Sequence, residues 1–319
     1  MLMRNTRPLR VLSWHVHGNY LYYLTQAPHD FHVVTKPGRP AGYAGRAGVL
    51  PWGANVHEVA AEDVASHEFD VVVYQQRSHW EHDRFELLSD AQRRLPRVYI
   101  EHDPPQEAPF AQRHWVDDGG ALLVHVTPFN ALMWDSGATP TRVIEHGVLV
   151  PEGARYTGAT SRGIVVVNHL RERGRRLGAD VFEQVRHRVP LDLVGMDAQS
   201  LGGIGEISNI ELAQFVSRYR FFFNPIRWTS LGLAIVEAMM VGLPIVGLAT
   251  TELASVIRDG ENGFVDTRID RLVDCMRALI RDPALARCLG ERARRDALER
   301  FSIDRFAHDW DLALREVTA

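Results

Sequence analysis

The stretch from Phe221 to Gly263 reads FFFNPIRWTSLGLAIVEAMMVGLPIVGLATTELASVIRDGENG, and its punctuation is that of an α/β unit. The phenylalanines at 221, 222 and 223 suit a strand buried on both faces. A loop follows, then a helix predicted to begin near Leu231, and a further apolar strand starts at Pro244. Ser230 is the expected N-cap. The amides after it, with Gly232 permitting close approach, would form an anion site. Glu237 falls two turns into that helix, opposite Val236 and Met240. A carboxylate there is suited to accept two ribose hydroxyls, a device that dinucleotide-binding folds use.

Outward from this stretch, short apolar runs alternate with amphipathic ones, which predicts parallel β-α-β units. Before it, strands are expected at residues 10–15, 31–35, 69–74, 97–101, 121–126 and 142–145, with helices over 79–95 and 129–136. The span 148–162 breaks the rhythm with Pro151, Gly153 and Gly158 and reads as a linker. A second series has strands at 163–170, 191–195, 221–225 and 244–248, each followed by a helix. The tail is helical over 269–281, 283–300 and 303–317. The expected architecture is two Rossmann-like α/β domains, residues 1–155 and 156–301, followed by 302–319. With 319 residues the chain exceeds the ~250–300 that one core supports.

Composition removes several classes of function. A net charge of −4 gives no general attraction to nucleic acid or anionic lipid. Lys36 is the only lysine, so Schiff-base and P-loop mechanisms have almost nothing to use, and no G-x-x-x-x-G-K-[ST] motif occurs. Two cysteines, Cys275 and Cys288, indicate a reducing compartment and offer no metal cluster. The basic run Met1 to Arg10 is not followed by an unbroken apolar stretch, and no run reaches the ~18 apolar residues of a membrane span. A cytoplasmic protein is expected, with peripheral membrane contact left open.

The Phe221–Gly263 segment resembles the donor-binding signature of family-4 glycosyltransferases, P-S-x-x-E-G-F-G-L-x-x-L-E-A-M-A-x-G-x-P-V-V. Pro225, Gly232, Leu233, Glu237, Ala238, Met239, Gly242, Pro244 and Val246 match it without a gap. Asp259-Gly260-Glu261-Asn262-Gly263-Phe264-Val265 resembles the D-G-x-N-G-F-L-V that follows. The resemblance implies a GT-B fold, with two Rossmann-like domains facing a cleft and a C-terminal helix, opening at Phe301-Ser302 and carrying Trp310, that crosses back to the first domain. It implies transfer of a sugar from a nucleoside diphosphate such as UDP to an acceptor hydroxyl, with retention and without a cofactor or metal. The acceptor, whether glycan, lipid-linked or small molecule, is left open.

The resemblance also assigns residues. Glu237 would hold the ribose, and Ser230, Leu231, Gly232 and Leu233 would line the phosphates. Thr229 stands where the family has a sugar-binding glutamate, Ser230-Leu231 replace Gly-Phe, and Thr251-Glu252 replace Gly-Gly. The family's G-R-L-x-x-x-K-G loop corresponds to Asn168-His169-Leu170-Arg171-Glu172-Arg173-Gly174, with His169 in the arginine position and Arg171 or Arg173 supplying the lysine's charge. The alternative for that run is a solvated basic turn.

In the first half, Glu101-His102-Asp103-Pro104-Pro105 closes a strand, at the sheet edge that faces ligands in such folds. The resemblance puts His102 beside the reacting sugar; the plainer reading is a histidine capping a tight turn. For inverting chemistry Asp103, His102 or His17 would be the base. Trp14-His15-Val16-His17-Gly18 ends the first strand where the family has a glycine-rich loop, and Gly18 fits it. His15 and His17 share a face, so a metal pair, acceptor binding and ordinary polar lining all stay open. Gly147 marks a hinge, Lys36 to Trp52 is a candidate acceptor loop, and Asp309-Trp310-Asp311 reads as a solvated face around a buried tryptophan. Rival functions are a nucleotide-sugar or glycan-binding protein of this fold, a sugar-nucleotide epimerase, and a metal-dependent hydrolase.

Overall fold

The computed structural model describes residues 7–319; Met1 to Thr6, the start of the basic N-terminal run, lie outside the described residues. The chain divides into two compact units. One ends at Gly147 and takes in Ile303–Ala319; the other is Val148–Ser302.

The first unit contains β1 (Arg10–Ser13), α1 (Gly18–Leu24), β2 (Asp30–Thr35), β3 (Val56–Ala60), β4 (Val71–Tyr74), α2 (Arg84–Leu87), β5 (Arg97–Glu101), β6 (Ala121–His125), α3 (Pro128–Met133) and β7 (Thr141–Val143). These strands form one parallel sheet in the order β3-β2-β1-β4-β5-β6-β7. The chain steps outward from β1 to β3 and then returns to β4, so the order reverses beside β1. Such a reversal opens a crevice at the carboxyl ends of the strands.

Two features differ from the sequence reading. The edge strand β3 was not expected: His57 and Glu58 are exposed, so Val56-His57-Glu58-Val59-Ala60 lacks the apolar run of a central strand. The helix expected over 79–95 is broken after α2 at Leu88, which is extended. Tertiary contacts account for the break. Ser89 and Gln92 bond reciprocally through their amides, and the Gln92 side chain donates to the carbonyls of Val64 and His67.

The second unit contains β8 (Thr160–Val166), α4 (Leu170–Leu177), α5 (Ala179–Arg186), β9 (Leu191–Val194), α6 (Asn209–Val216), β10 (Tyr219–Asn224), α7 (Leu233–Val241), β11 (Ile245–Leu248), α8 (Leu253–Val256), β12 (Gly263–Asp266), α9 (Ile269–Arg281) and α10 (Pro283–Arg300). Its sheet is parallel in the order β12-β11-β10-β8-β9, so its reversal lies between β8 and β10. Residues 148–162, read from sequence as a linker, are bonded into this unit. The amides of Val148 and Tyr156 donate to the carbonyls of Phe301 and Val241, and those of Thr157 and Gly158 to Ser217. Helix α10 runs close to the end of α7, because a side chain at Gly290 would overlap the Gly242 carbonyl.

The last helix, α11 (Ile303–Val317), belongs to the first unit, where Phe306 and Trp310 are fully buried. Phe306 meets Tyr20 of α1 edge-on, with ring centroids 5.6 Å apart. Arg305 donates to the carbonyls of Glu145 and His146. Asp309 pairs with Arg305 and Asp311 with Arg315 within the helix, while Asp311 also meets His29 at 3.2 Å and links the helix to the rest of the unit. Among the described residues no helix is long and apolar enough to cross a membrane.

Candidate functional site

In the second unit the loops after β8 and β10 flank the reversal in strand order. After β8, His169 adopts a left-handed conformation (φ 53°), donates its amide to the Met196 carbonyl and starts α4. Asn168 accepts the Met196 amide at 2.9 Å, joining this turn to the one after β9. Arg171 and Arg173 therefore stand on the first turn of α4, a helix broken at Gly174, and not in an open loop. The Arg171 guanidinium donates to the Ser200 carbonyl. That bond holds it against a neighbouring turn.

The loop after β10 is held from two directions. The amides of Arg227 and Trp228 both donate to the Arg176 carbonyl, and the Arg227 guanidinium forks onto Asp180 at 2.6 and 2.8 Å. On the other side Thr250 Oγ1 donates to the Ile226 carbonyl at 2.9 Å. Gly178 (φ 82°) is required here, since a Cβ would overlap the Pro225 carbonyl.

The N-terminus of α7 differs from expectation. The helix starts at Leu233 with Gly232 in the cap position, and no side chain caps it. Ser230 is two residues too early to serve as the cap. Its hydroxyl is buried and has no hydrogen-bond partner in the structure. A buried hydroxyl in that condition costs about 1–3 kcal/mol, and a bound oxyanion would satisfy it. Leu231 and Gly232 extend between that hydroxyl and the first helical turn, and Thr229 is half-buried beside them.

Glu237 lies just over one turn into α7, nearer its start than the sequence reading placed it. It is 3 % exposed on a helix buried all round from residue 235 to 241. Sequence reasoning noted Thr251-Glu252 only as a departure. Thr251 is left-handed (φ 49°), and Glu252 is buried, accepting from Ser255 and from Arg300 at 3.1 Å. This pairing makes Glu252 a strut of the turn after β11.

In the first unit, His17 caps α1 and Gly18 is its first residue, so Gly18 lies in a helix and not in a glycine-rich loop. His15 and His17 lie against different partners. His15 Nδ1 bonds the Gly45 carbonyl at 2.6 Å, which pins the 36–52 loop, while the His17 ring sits 4.2 Å from that of His102. Among the described residues no group of three or more His, Cys, Asp or Glu side chains is placed to hold a metal ion.

His102 and Asp103 follow β5. His102 Nε2 is 3.1 Å from Gln75 Oε1, and Gln75 Nε2 reaches Ser13 Oγ and the Trp14 carbonyl. Gln75, buried at the end of β4, thus joins the ends of β1, β4 and β5. It escaped the sequence reading because a lone glutamine carries no motif. Burial, with His17 and His146 nearby, holds the His102 imidazole well below its ordinary pKa. A neutral ring that donates from Nε2 to Gln75 can hydrogen-bond a sugar hydroxyl and is poorly matched to general-base work near pH 7.

Two parallel Rossmann-like sheets, with a terminal helix that returns to the first, define the GT-B fold. Residues 162–282 match the family model Glycosyl transferases group 1, the class read from the sequence of this segment. Sucrose-phosphate synthase from Thermosynechococcus elongatus superposes with a TM-score of 0.72 at 18% identity, over 97% of this chain and 98% of that one. Anabaena HepE, in complex with UDP and glucose, gives 0.71 at 14% identity over 97% and 100%. In sequence, 90 residues are 30% identical to N-acetyl-alpha-D-glucosaminyl L-malate synthase of Bacillus anthracis, 28% of this chain and 24% of that protein. The chain thus matches about a quarter of the length of that curated relative.

Proposed function

We propose that the protein is a retaining, metal-independent glycosyltransferase that moves a sugar from a nucleoside diphosphate, UDP in the first instance, to an acceptor hydroxyl. The observation that carries this reading is the strand–loop–helix of β10 and α7. There a buried hydroxyl without a partner, an uncapped helix start and a buried carboxylate one turn on stand in the order phosphate, phosphate, ribose. Glu237 accepts the ribose hydroxyls. The amides at Gly232 and Leu233, the Ser230 hydroxyl, His169 and Arg171 or Arg173 take the diphosphate. As the bond from the anomeric carbon to the phosphate oxygen breaks, charge grows on the diphosphate, and these donors stabilise it. The acceptor oxygen bonds to the anomeric carbon and its proton passes to the leaving phosphate, which gives retention. In the first unit His102, neutral, and Asp103 are the candidates for hydrogen bonds to hydroxyl groups.

The matched family segment and the UDP held by HepE, a protein of the same fold, support the reading. The donor acts as substrate and no further cofactor is invoked. The absence of a membrane-spanning helix among the described residues suits a cytoplasmic enzyme acting on a soluble acceptor or at a membrane surface. A thermal-shift panel of nucleoside diphosphates and their sugars tests it. A ligand at 100 times its Kd should stabilise by ~2.7 kcal/mol. No response to any nucleotide would sink the reading, and binding without release of sugar in the presence of an acceptor panel would reduce it to a binding protein.

A further inference from the structure

We propose that Glu101, His114 and Trp134 are positioning residues that clamp the turn carrying His102 and Asp103 through the backbone amide and carbonyl of Asp103. Glu101 Oε1 accepts the Asp103 amide at 2.9 Å, and Trp134 Nε1 donates to the Asp103 carbonyl at 2.8 Å. The backbone at Asp103 is thus held through its donor by a side chain two residues back and through its acceptor by one 31 residues on.

Both holders are themselves held. Glu101 Oε2 faces His114 Nε2 at 3.0 Å, and His114 Nδ1 accepts the Val116 amide at 3.0 Å. That amide fixes the tautomer: the proton must sit on Nε2 and point at Glu101. The His114 ring is packed by Tyr99, Trp115 and Trp134, with centroids 4.4–5.3 Å away, and its own amide donates to the Asp135 carbonyl. Trp134 ends α3, whose start is capped by Thr127. Glu101, His114 and Trp134 are each buried to more than nine-tenths. Burial pushes the Glu101 carboxyl up to about 8 and the His114 imidazole down to about 3. Two ionisable groups kept in such surroundings cost stability that packing alone would not require, which points to a positional role.

The use of this clamp rests on the glycosyltransferase reading, because the groups it aims are His102 and Asp103. A side chain that sets a reacting group's position influences turnover more than ground-state binding. Two variants isolate the clamp in the full chain. Trp134→Phe keeps the ring and removes the donor. Glu101→Gln keeps the shape, but its amide cannot accept from both Asp103 and His114. Each is measured for melting temperature, UDP affinity, donor KM and kcat, and amide hydrogen exchange across residues 102–107.

Trp134→Phe should raise exchange at the amides of Asp103, Gln106 and Glu107 and lower kcat roughly tenfold, the scale of one hydrogen bond, with UDP affinity and donor KM within about twofold. Glu101→Gln should do the same more strongly. Wild-type exchange and kcat in Trp134→Phe would overturn the clamp. A parallel fall in melting temperature, UDP affinity and kcat would overturn it too, since that marks a merely structural residue. If the wild-type protein binds no nucleotide, the functional reading fails by itself, and the exchange arm still decides whether the turn is clamped.

Discussion

The second unit gathers its candidate ligand groups in one run of chain, whereas the first assembles them from strand ends far apart in sequence. Thr229, Ser230, Gly232, Leu233 and Glu237 leave one strand and enter one helix. In the first unit Ser13, Gln75 and His102 come from the ends of three strands and meet only because β1, β4 and β5 are neighbours in the sheet. Their surroundings differ as well. All of the 15 histidines except His169 and His187 belong to the first unit, and many of them are buried. A site built from one segment is a local property of the chain; a site built from strand ends depends on the whole sheet being in register.

Glu237→Ala tests the segment-built site hardest. Losing charge-assisted bonds of about 1.5–3 kcal/mol each should weaken UDP roughly 100-fold and abolish the thermal shift. Retained nucleotide binding in that variant would break the comparison, because the second unit would then not be the donor unit.

Gly290→Ala should destabilise the second unit by about 1–3 kcal/mol, since the added methyl meets the Gly242 carbonyl next to α7. Hydrogen exchange should rise in α7 and α10 and stay unchanged in the first unit. A uniform rise across the chain would show that the two units do not unfold separately.

Acidification should act on the first unit. Burial lowers the imidazoles of His114 to about 3 and His125 to about 4, and also lowers His29 and His32. A group whose folded pKa is depressed below 6.5 contributes stability above that pH and loses it as pH falls toward 4. Glu101 opposes this in part: its raised pKa adds stability as pH falls from about 8. The net loss from pH 7 to 5 should be on the order of 1–2 kcal/mol, read by exchange in the first unit while α9 and α10 keep their protection. Equal loss in both units would remove the histidine contrast.

The smallest effect is expected at Thr251, a β-branched residue in the left-handed region. Thr251→Gly relieves strain of ~1–2 kcal/mol but adds freedom to the unfolded chain. The second unit should therefore gain under about 1 kcal/mol, a rise in melting temperature of a degree or two. A fall in melting temperature would show that the hydroxyl, not the backbone, matters there.

Legibility followed the same division. The strands β8 to β11 and the helices α9, α10 and α11 were readable because apolar runs and periodicity are local signals. β3 was missed because an edge strand needs no apolar run, and the 79–95 helix was overextended because Gln92 bonds to residues outside its own segment. Ser230 was misplaced as a cap by two residues, since a glycine two positions later fits the cap backbone equally well. His102 was singled out by its place at a strand end and by the resemblance, whereas Gln75, His114 and Trp134, which hold it and its neighbour, carry no motif.

The sequence by itself determined the two series of β-α-β units and a last amphipathic helix, since these rest on periodicity and on residue order along the chain; the return of that helix and the donor-type reading around Glu237 came from the family resemblance. Only the tertiary structure decided that Arg171 is held by Ser200 while α7 goes uncapped, and that residues 148–162 pair within the second unit. It alone decided that Glu101 and Trp134 grip Asp103 through its amide and its carbonyl. Those outcomes depend on which backbone groups come within about 3 Å of each other, and strand order and register set that distance.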